Sequence, residues 1–264
     1  QESSVQHVVS RPTPPFRVTG TELWVHQIPS WQDNFVWLLT SPEGEAAAID
    51  GPEADTVLQY CAERNLRLTT VLNTHTHPDH IGLNRGLARR GLLDEMRVVG
   101  AASRADDIPG LNQPVEEGDT VEFGGVLGRV LLTEGHIDGH VSYVFGDVLF
   151  CGDTLFGAGC GYLFDGPPAK MHASLQRLAA LPEETRVCCA HEYTEANLQW
   201  AVAQQPNNTV LVERYREVRS LRAKGELSLP SSIGVERRTN LFMQASSAAE
   251  LGVLRSHKDQ WRPA

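Results

Sequence analysis

Leu72-Asn73-Thr74-His75-Thr76-His77-Pro78-Asp79-His80-Ile81-Gly82 gathers three histidines and an aspartate directly behind the apolar, β-branched run Leu68-Thr69-Thr70-Val71-Leu72. The run reads as a buried strand that delivers polar side chains to its C-terminal mouth, where open sheets carry their chemistry. A lone histidine usually satisfies a hydrogen bond and nothing more. Four potential ligands packed together are different. In a strand-end loop, His75 and His77 at i and i+2 point the same way and can grip one ion. Asp79 and His80, beyond the turn at Pro78, are displaced and suit a second.

Two ions need more donors than this stretch holds. Farther along the chain, His136 follows Thr133-Glu134-Gly135, Asp153 sits in Cys151-Gly152-Asp153-Thr154, and His191 sits in Cys189-Ala190-His191-Glu192. Each lies just past the end of a predicted strand, which is the placement expected of convergent site residues. Imidazole and carboxylate donors without thiolate suit zinc, iron or manganese, and the residues alone do not choose among them.

The chain's 264 residues carry a formal charge of -10, and no clustered basic face of the kind that binds phosphate backbones is visible, so nucleic acid is not an expected partner. No apolar run approaches the roughly 18 residues of a membrane span, and the start lacks the order of a signal peptide. A cytoplasmic, monomeric, membrane-free protein is the expectation. Five cysteines, with Cys188 and Cys189 adjacent, do not form a disulfide pattern and read as reduced core thiols. The absence of a G-x-S-x-G elbow argues against a serine hydrolase.

Residues 1–20, with Pro12, Pro14 and Pro15, read as a flexible lead-in. From Thr21 onward short apolar runs predict strands at 23–25, 35–39, 46–49, 68–72, 96–99, 120–123, 126–132, 141–145, 148–151 and 186–190. Helical spacing predicts helices over 55–65, 83–90, around Met171 to Leu181, and over 196–205, 210–224 and 248–257. The organisation is therefore an α/β catalytic domain over 21–192 and a helical domain over 193–264, small enough to lean on the first.

The T-H-x-H-x-D-H stretch, with its later G-H, Gly152-Asp153-Thr154-Leu155-Phe156 and His191-Glu192-Tyr193-Thr194, resembles the metallo-β-lactamase fold superfamily. More narrowly the chain is similar to the glyoxalase II (hydroxyacylglutathione hydrolase) family, through Gly159-Cys160-Gly161, Thr239-Asn240-Leu241-Phe242 and the closing Leu254-Arg255-Ser256-His257-Lys258-Asp259-Gln260-Trp261. The resemblance implies an αββα sandwich followed by a helical substrate-binding domain. It implies that His75, His77 and His136 bind one divalent metal ion, that Asp79, His80 and His191 bind a second, and that Asp153 bridges them, with Asp79 and Asp153 serving catalysis. The implied reaction is hydrolysis of a small-molecule thioester, S-D-lactoylglutathione, to D-lactate and glutathione, as in methylglyoxal detoxification. A hydroxide shared by two ions would be the nucleophile, because metal coordination can lower the pKa of water from about 15.7 toward 7.

The chain departs from the family where the carrier thiol is held. Tyr162-Leu163-Phe164 stands where a basic residue is usual after G-C-G, and Met243-Gln244 replaces the usual leucine and arginine. Tyr162, Phe164, Tyr193 and Gln244 are thus the expected substrate contacts, with Arg237, Arg238 or Lys170 as replacement cations. A different thiol carrier, a mononuclear persulfide dioxygenase, a β-lactamase and a metal-stabilised binding protein are the alternatives. His140 reads as a supporting histidine behind the ligands.

Overall fold

The short apolar runs of the first half fold into one seven-stranded sheet. The computed structural model describes residues 6–264. The sheet holds β1 (Phe16–Arg17), β2 (Trp24–Ser30), β3 (Asn34–Thr40), β4 (Glu45–Ile49), β5 (Arg67–Leu72), β6 (Arg97–Ala101) and β7 (Gln113–Val115), side by side in that order. Strands β1 to β4 pair antiparallel, and β4 to β7 parallel. The parallel steps need crossovers, supplied by α1 (Asp55–Glu63) before β5 and α2 (Pro78–Arg89) before β6.

The second half adds β8 (Thr120–Phe123), β9 (Val126–Leu132), β10 (Val141–Phe145) and β11 (Val148–Gly152), then a small hairpin of β12 (Leu155–Phe156) and β13 (Gly159–Cys160). Helix α3 (Pro168–Ala179) leads to β14 (Arg186–Cys189), then to α4 (Thr194–Gln204) and α5 (Thr209–Ala223). The chain closes with β15 (Ser231–Ser232), α6 (Ile233–Thr239), α7 (Leu241–Gln244) and α8 (Ala248–Gln260). The second sheet runs β15-β14-β11-β10-β9-β8.

Every residue of β3 is buried, because both faces of its sheet are covered. Phe35, Trp37 and Leu39 point into a core shared with Tyr143, Phe145 and Phe150 of the second sheet. Val36 and Leu38 point the other way, into a cluster with Val57, Leu83 and Leu87 of α1 and α2. Met171, Leu175 and Leu178 of α3 join the first core. These layers make the expected αββα sandwich. Trp37 also ties its sheet to the other, its indole N–H donating to the Cys189 carbonyl at 2.8 Å.

Three sequence expectations change. Residues 1–5 of the expected lead-in lie outside the described residues, but residues 6–20 are held in place: Val9 and Val18 are buried, and β1 pairs with β2. Helix α2 begins at Pro78, not at Leu83, so Asp79 and His80 stand on its first turn instead of in a loop. The fixed φ of proline suits the first helical position, where its missing N–H costs nothing. Lastly, the C-terminal helices do not merely lean on the sandwich. Ser231–Ser232 adds a strand to the second sheet, and Trp200, Phe242 and Leu251 belong to the same core as Trp37.

All five cysteines are free and buried. No helix among the described residues is long and apolar enough to cross a membrane.

Candidate metal centre and substrate cavity

The C-terminal ends of β5, β9, β11 and β14 supply, respectively, His75 and His77, His136, Asp153, and His191, while α2 adds Asp79 and His80. Donor atoms of His75, His77, His136 and Asp153 all lie within 4.8 Å of one another, as do those of Asp79, His80 and His191. Asp153 lies between the groups. Its Oδ2 is 3.5 Å from His75 Nε2, 3.5 Å from His136 Nε2 and 3.1 Å from His80 Nε2, and its Oδ1 is 3.4 Å from His191 Nε2. Asp79 Oδ2 is 3.2 Å from His191 Nε2 and 3.3 Å from His80 Nε2.

Each ring is oriented from behind. His80 Nδ1 donates to Asp50 Oδ2 at 2.9 Å, His191 Nδ1 donates to Asp33 Oδ1 at 2.9 Å, and His136 Nδ1 donates to the Tyr162 carbonyl at 2.8 Å. These contacts fix a proton on each Nδ1 and leave each Nε2 facing inward, where its lone pair becomes available to a metal ion once its own proton is displaced. Asp50 could be grouped with His75 and His80 as a third ligand set. Its carboxylate is already occupied by the Thr74 amide and hydroxyl as well as by His80, so it acts as an orienter. His140 stacks on His75 at 4.7 Å between centroids and accepts from the Asp153 amide at 3.2 Å, in keeping with a supporting role.

The donor set fits metal ions. His75 Nε2 and Asp153 Oδ1 are buried without a hydrogen-bond partner, an expensive state for polar atoms unless a cation satisfies them. The site also draws in protons where positive charge is lacking. Burial opposes charge on His80 and His191, yet the Asp153 carboxylate, helped by Asp50 at the first and by Asp33 and Asp79 at the second, raises both pKa values well above the ordinary range. The same pairing overrides burial to hold Asp153 well below the usual carboxylate range. Burial pushes His75 down to about 4.

Beside these donors opens a cavity of about 340 Å³ whose lining includes Asp153, Cys160, Tyr162, Tyr193, Arg255 and Lys258. Tyr193 lies stacked on His191, with ring centroids 4.8 Å apart and planes at 1°. Tyr162 lies under the Arg255 guanidinium at 4.9 Å. Phe164 is exposed and stands edge-on to His77 and His136 at 5.4 and 5.3 Å. Gln244 does not reach the cavity; it is exposed and donates to the Arg237 carbonyl. The expected replacement cations also lie elsewhere. Lys170 pairs with Asp138 at 2.6 Å, Arg237 is bonded to the Ala179 and Leu181 carbonyls, and Arg238 lines a separate groove against α5. The cations at the cavity are Arg255 and Lys258, three positions apart on one face of α8. The sequence signal for them was their place in the closing motif.

Residues 39–191 match the model of the metallo-beta-lactamase superfamily, and residues 192–261 match that of the hydroxyacylglutathione hydrolase C-terminus. The chain belongs to the hydroxyacylglutathione hydrolase family. It is similar to the hydroxyacylglutathione hydrolase of Synechococcus sp. (strain CC9605), 56% identical over 90% of this chain and 98% of the relative. It is also similar to that of Parasynechococcus marenigrum (strain WH8102), 48% identical over 91% of this chain and 98% of the relative. Among solved structures, ETHE1 from Myxococcus xanthus aligns at TM-score 0.66 and 29% identity, covering 90% of this chain and 92% of that one. TTHA1623 in a di-iron-bound form aligns at TM-score 0.50 and 31% identity, covering 62% of this chain and 90% of that one.

Proposed function

We propose that this chain is a metal-dependent thioester hydrolase that cleaves S-D-lactoylglutathione to D-lactate and glutathione. The carrying observation is the convergence of seven donors on one spot with a cationic cavity opening beside them. His75, His77 and His136 would hold one ion, Asp79, His80 and His191 the other, and Asp153 both; the donor chemistry suits zinc, iron or manganese. Bound there, such ions supply Lewis acidity to the thioester carbonyl and ionise water near neutral pH.

The remaining work falls to the chain's own groups. Asp33, Asp50 and the Tyr162 carbonyl aim His191, His80 and His136, which fixes the donor geometry before substrate arrives. Lys258 places positive charge in the cavity, joined by the Arg255 guanidinium, which also pairs with Asp259 at 2.8 Å and donates to the Cys160 carbonyl at 2.7 Å; these cations match the carboxylates of glutathione, and Tyr162 and Tyr193 offer aromatic walls to the carrier. The leaving thiolate has a conjugate acid of pKa about 8.5 and departs without a proton donor. Residues 21–192 would carry the chemistry and, with Tyr162, one wall for the carrier, and 193–264 the remaining carrier contacts, a division supported by the family models meeting between 191 and 192. Free, buried cysteines fit a reducing compartment, so the assignment is cytoplasmic.

A mononuclear persulfide dioxygenase needs fewer ligands than converge here, and β-lactamases of the commonest zinc type have cysteine where Asp153 stands. The test is to assay the metal-loaded protein on S-D-lactoylglutathione and on lactoyl esters of other thiols. Strong preference for the glutathione ester supports the proposal. Preference for another ester would overturn the carrier, and cleavage of none would overturn the reaction.

A further inference from the structure

The β12–β13 hairpin joins the metal donors to the cavity. It leaves Asp153 at one end and returns through Cys160 and Gly161 to Tyr162, whose carbonyl accepts the His136 Nδ1 proton. Its base has no slack. A Cβ on Gly161 would sit 2.1 Å from the Asp153 carbonyl oxygen and 2.7 Å from His136 Nδ1. Any shift of the hairpin therefore moves Asp153 and His136 together.

The tip of this hairpin is held by the C-terminal helices. Glu236 of α6, fully buried, accepts the Ala158 amide proton on Oε1 at 2.7 Å. Ala158 is a non-glycine residue at φ 56°, a left-handed conformation that must be held by its surroundings. Glu236 is in turn fixed by a two-pronged ion pair to Arg214 of α5, at 2.8 and 3.2 Å, and by the Ser231 hydroxyl at 2.6 Å. Asn240 donates to the Phe156 and Gly159 carbonyls on either side of the tip. The thioester-hydrolase reading uses none of these groups.

We infer that Glu236 is a positioning residue: by gripping the Ala158 amide it sets the hairpin, and through it the spacing of Asp153 and His136 that metal retention and turnover require. The inference rests on the metal-dependent reading above, but its readout does not depend on the substrate. It also assigns the helical segment a part in shaping the metal centre, beyond binding the carrier thiol.

Removing Glu236 alone would strand the Arg214 charge in the core, so the test uses paired substitutions that leave no charge behind. R214M/E236Q keeps an amide oxygen to accept the Ala158 proton, whereas R214M/E236M keeps the length and drops the acceptor. Both are loaded with zinc, and metal content is followed against a competing chelator alongside kcat and KM. The expected result is that the methionine variant loses metal about tenfold more readily than the glutamine variant and loses kcat in similar measure, the scale typical of supporting contacts behind a metal ligand. A second variant, Asn240→Ser, keeps a capping oxygen for α7 but is too short to reach the hairpin carbonyls; it should weaken metal retention in the same direction even if the methionine variant fails to fold. Equal retention in the two paired variants, or parental retention in Asn240→Ser, would overturn the inference. A parent that retains metal yet cleaves no thioester would instead overturn the reaction proposed above and leave this test readable.

Discussion

His77 Nδ1 and His136 Nε2 face each other at 3.0 Å across the mouth of the site, although the two residues come from opposite sheets of the sandwich. Because His136 spends its Nδ1 proton on the Tyr162 carbonyl, its Nε2 lone pair points at the space that His77 also faces. Stripping metal should therefore destabilise the fold as well as abolish activity. At free metal a hundredfold above Kd, binding contributes about 2.7 kcal/mol, equivalent to roughly 5–10 °C in a chain of this size. Thermal melts before and after chelation, with readdition of zinc, iron or manganese, measure this; an unchanged midpoint would contradict the assignment.

Asp33 aims His191 from the turn before β3. Replacing it by alanine should cost about 10–100-fold in activity or metal affinity. The loss should fall on the ion proposed for Asp79, His80 and His191, so metal analysis should show occupancy of one ion per chain surviving and the other lost. Equal loss of both ions, or of neither, would show that Asp33 does not act through His191.

Lys258 makes a pH-dependent prediction. Burial, then the nearby Arg255 guanidinium, pushes its pKa from 10.5 down to about 8. Its ammonium is largely present at pH 7 and mostly gone at pH 9, so KM for a carboxylate-bearing thioester should rise through that window while kcat holds. The sign for stability is opposite. A base whose folded pKa lies below its unfolded value carries a folding penalty while charged, so Lys258→Met should raise KM yet leave the melting temperature equal or higher at pH 7. A lowered melting temperature with unchanged KM would make Lys258 a packing residue.

Gly161→Ala should be among the most damaging small substitutions in the chain. Its Cβ would meet the Asp153 carbonyl oxygen at 2.1 Å, and backbone cannot swing aside as a side chain can. Overpacking of this kind costs about 1–3 kcal/mol. Urea titration should show that loss, and metal content should fall with it, because the atoms displaced belong to Asp153 and His136. By contrast Gly166→Ala, whose Cβ would meet nothing nearer than Leu163 Cβ at 3.5 Å, an ordinary contact, should leave metal content unchanged.

Much of this was legible in the residues. His75, His77, Asp79 and His80 are close in sequence, so local spacing was enough to mark them as one cluster, and the strands that carry His136, Asp153 and His191 announced themselves by apolar runs ending in turns. The first turn of α2 was missed because Pro78 reads as a break when it follows a strand, although it also starts a helix well. The packing of residues 6–20 was missed because its few apolar residues, Val8-Val9, Phe16 and Val18, are split by Pro12, Pro14 and Pro15 and carry no period.

The sequence by itself determined the donor types, the strand order of their appearance and the family to which the chain belongs, because each depends on residues near one another along the chain. Only the tertiary structure decided which cations face the cavity. Arg255 and Lys258 lie far along the chain from His75, and α8 reaches the site through its packing on α3 and the shared core, a closure that no local pattern encodes. The same closure turned Gln244 away and brought Glu236 to the Ala158 amide.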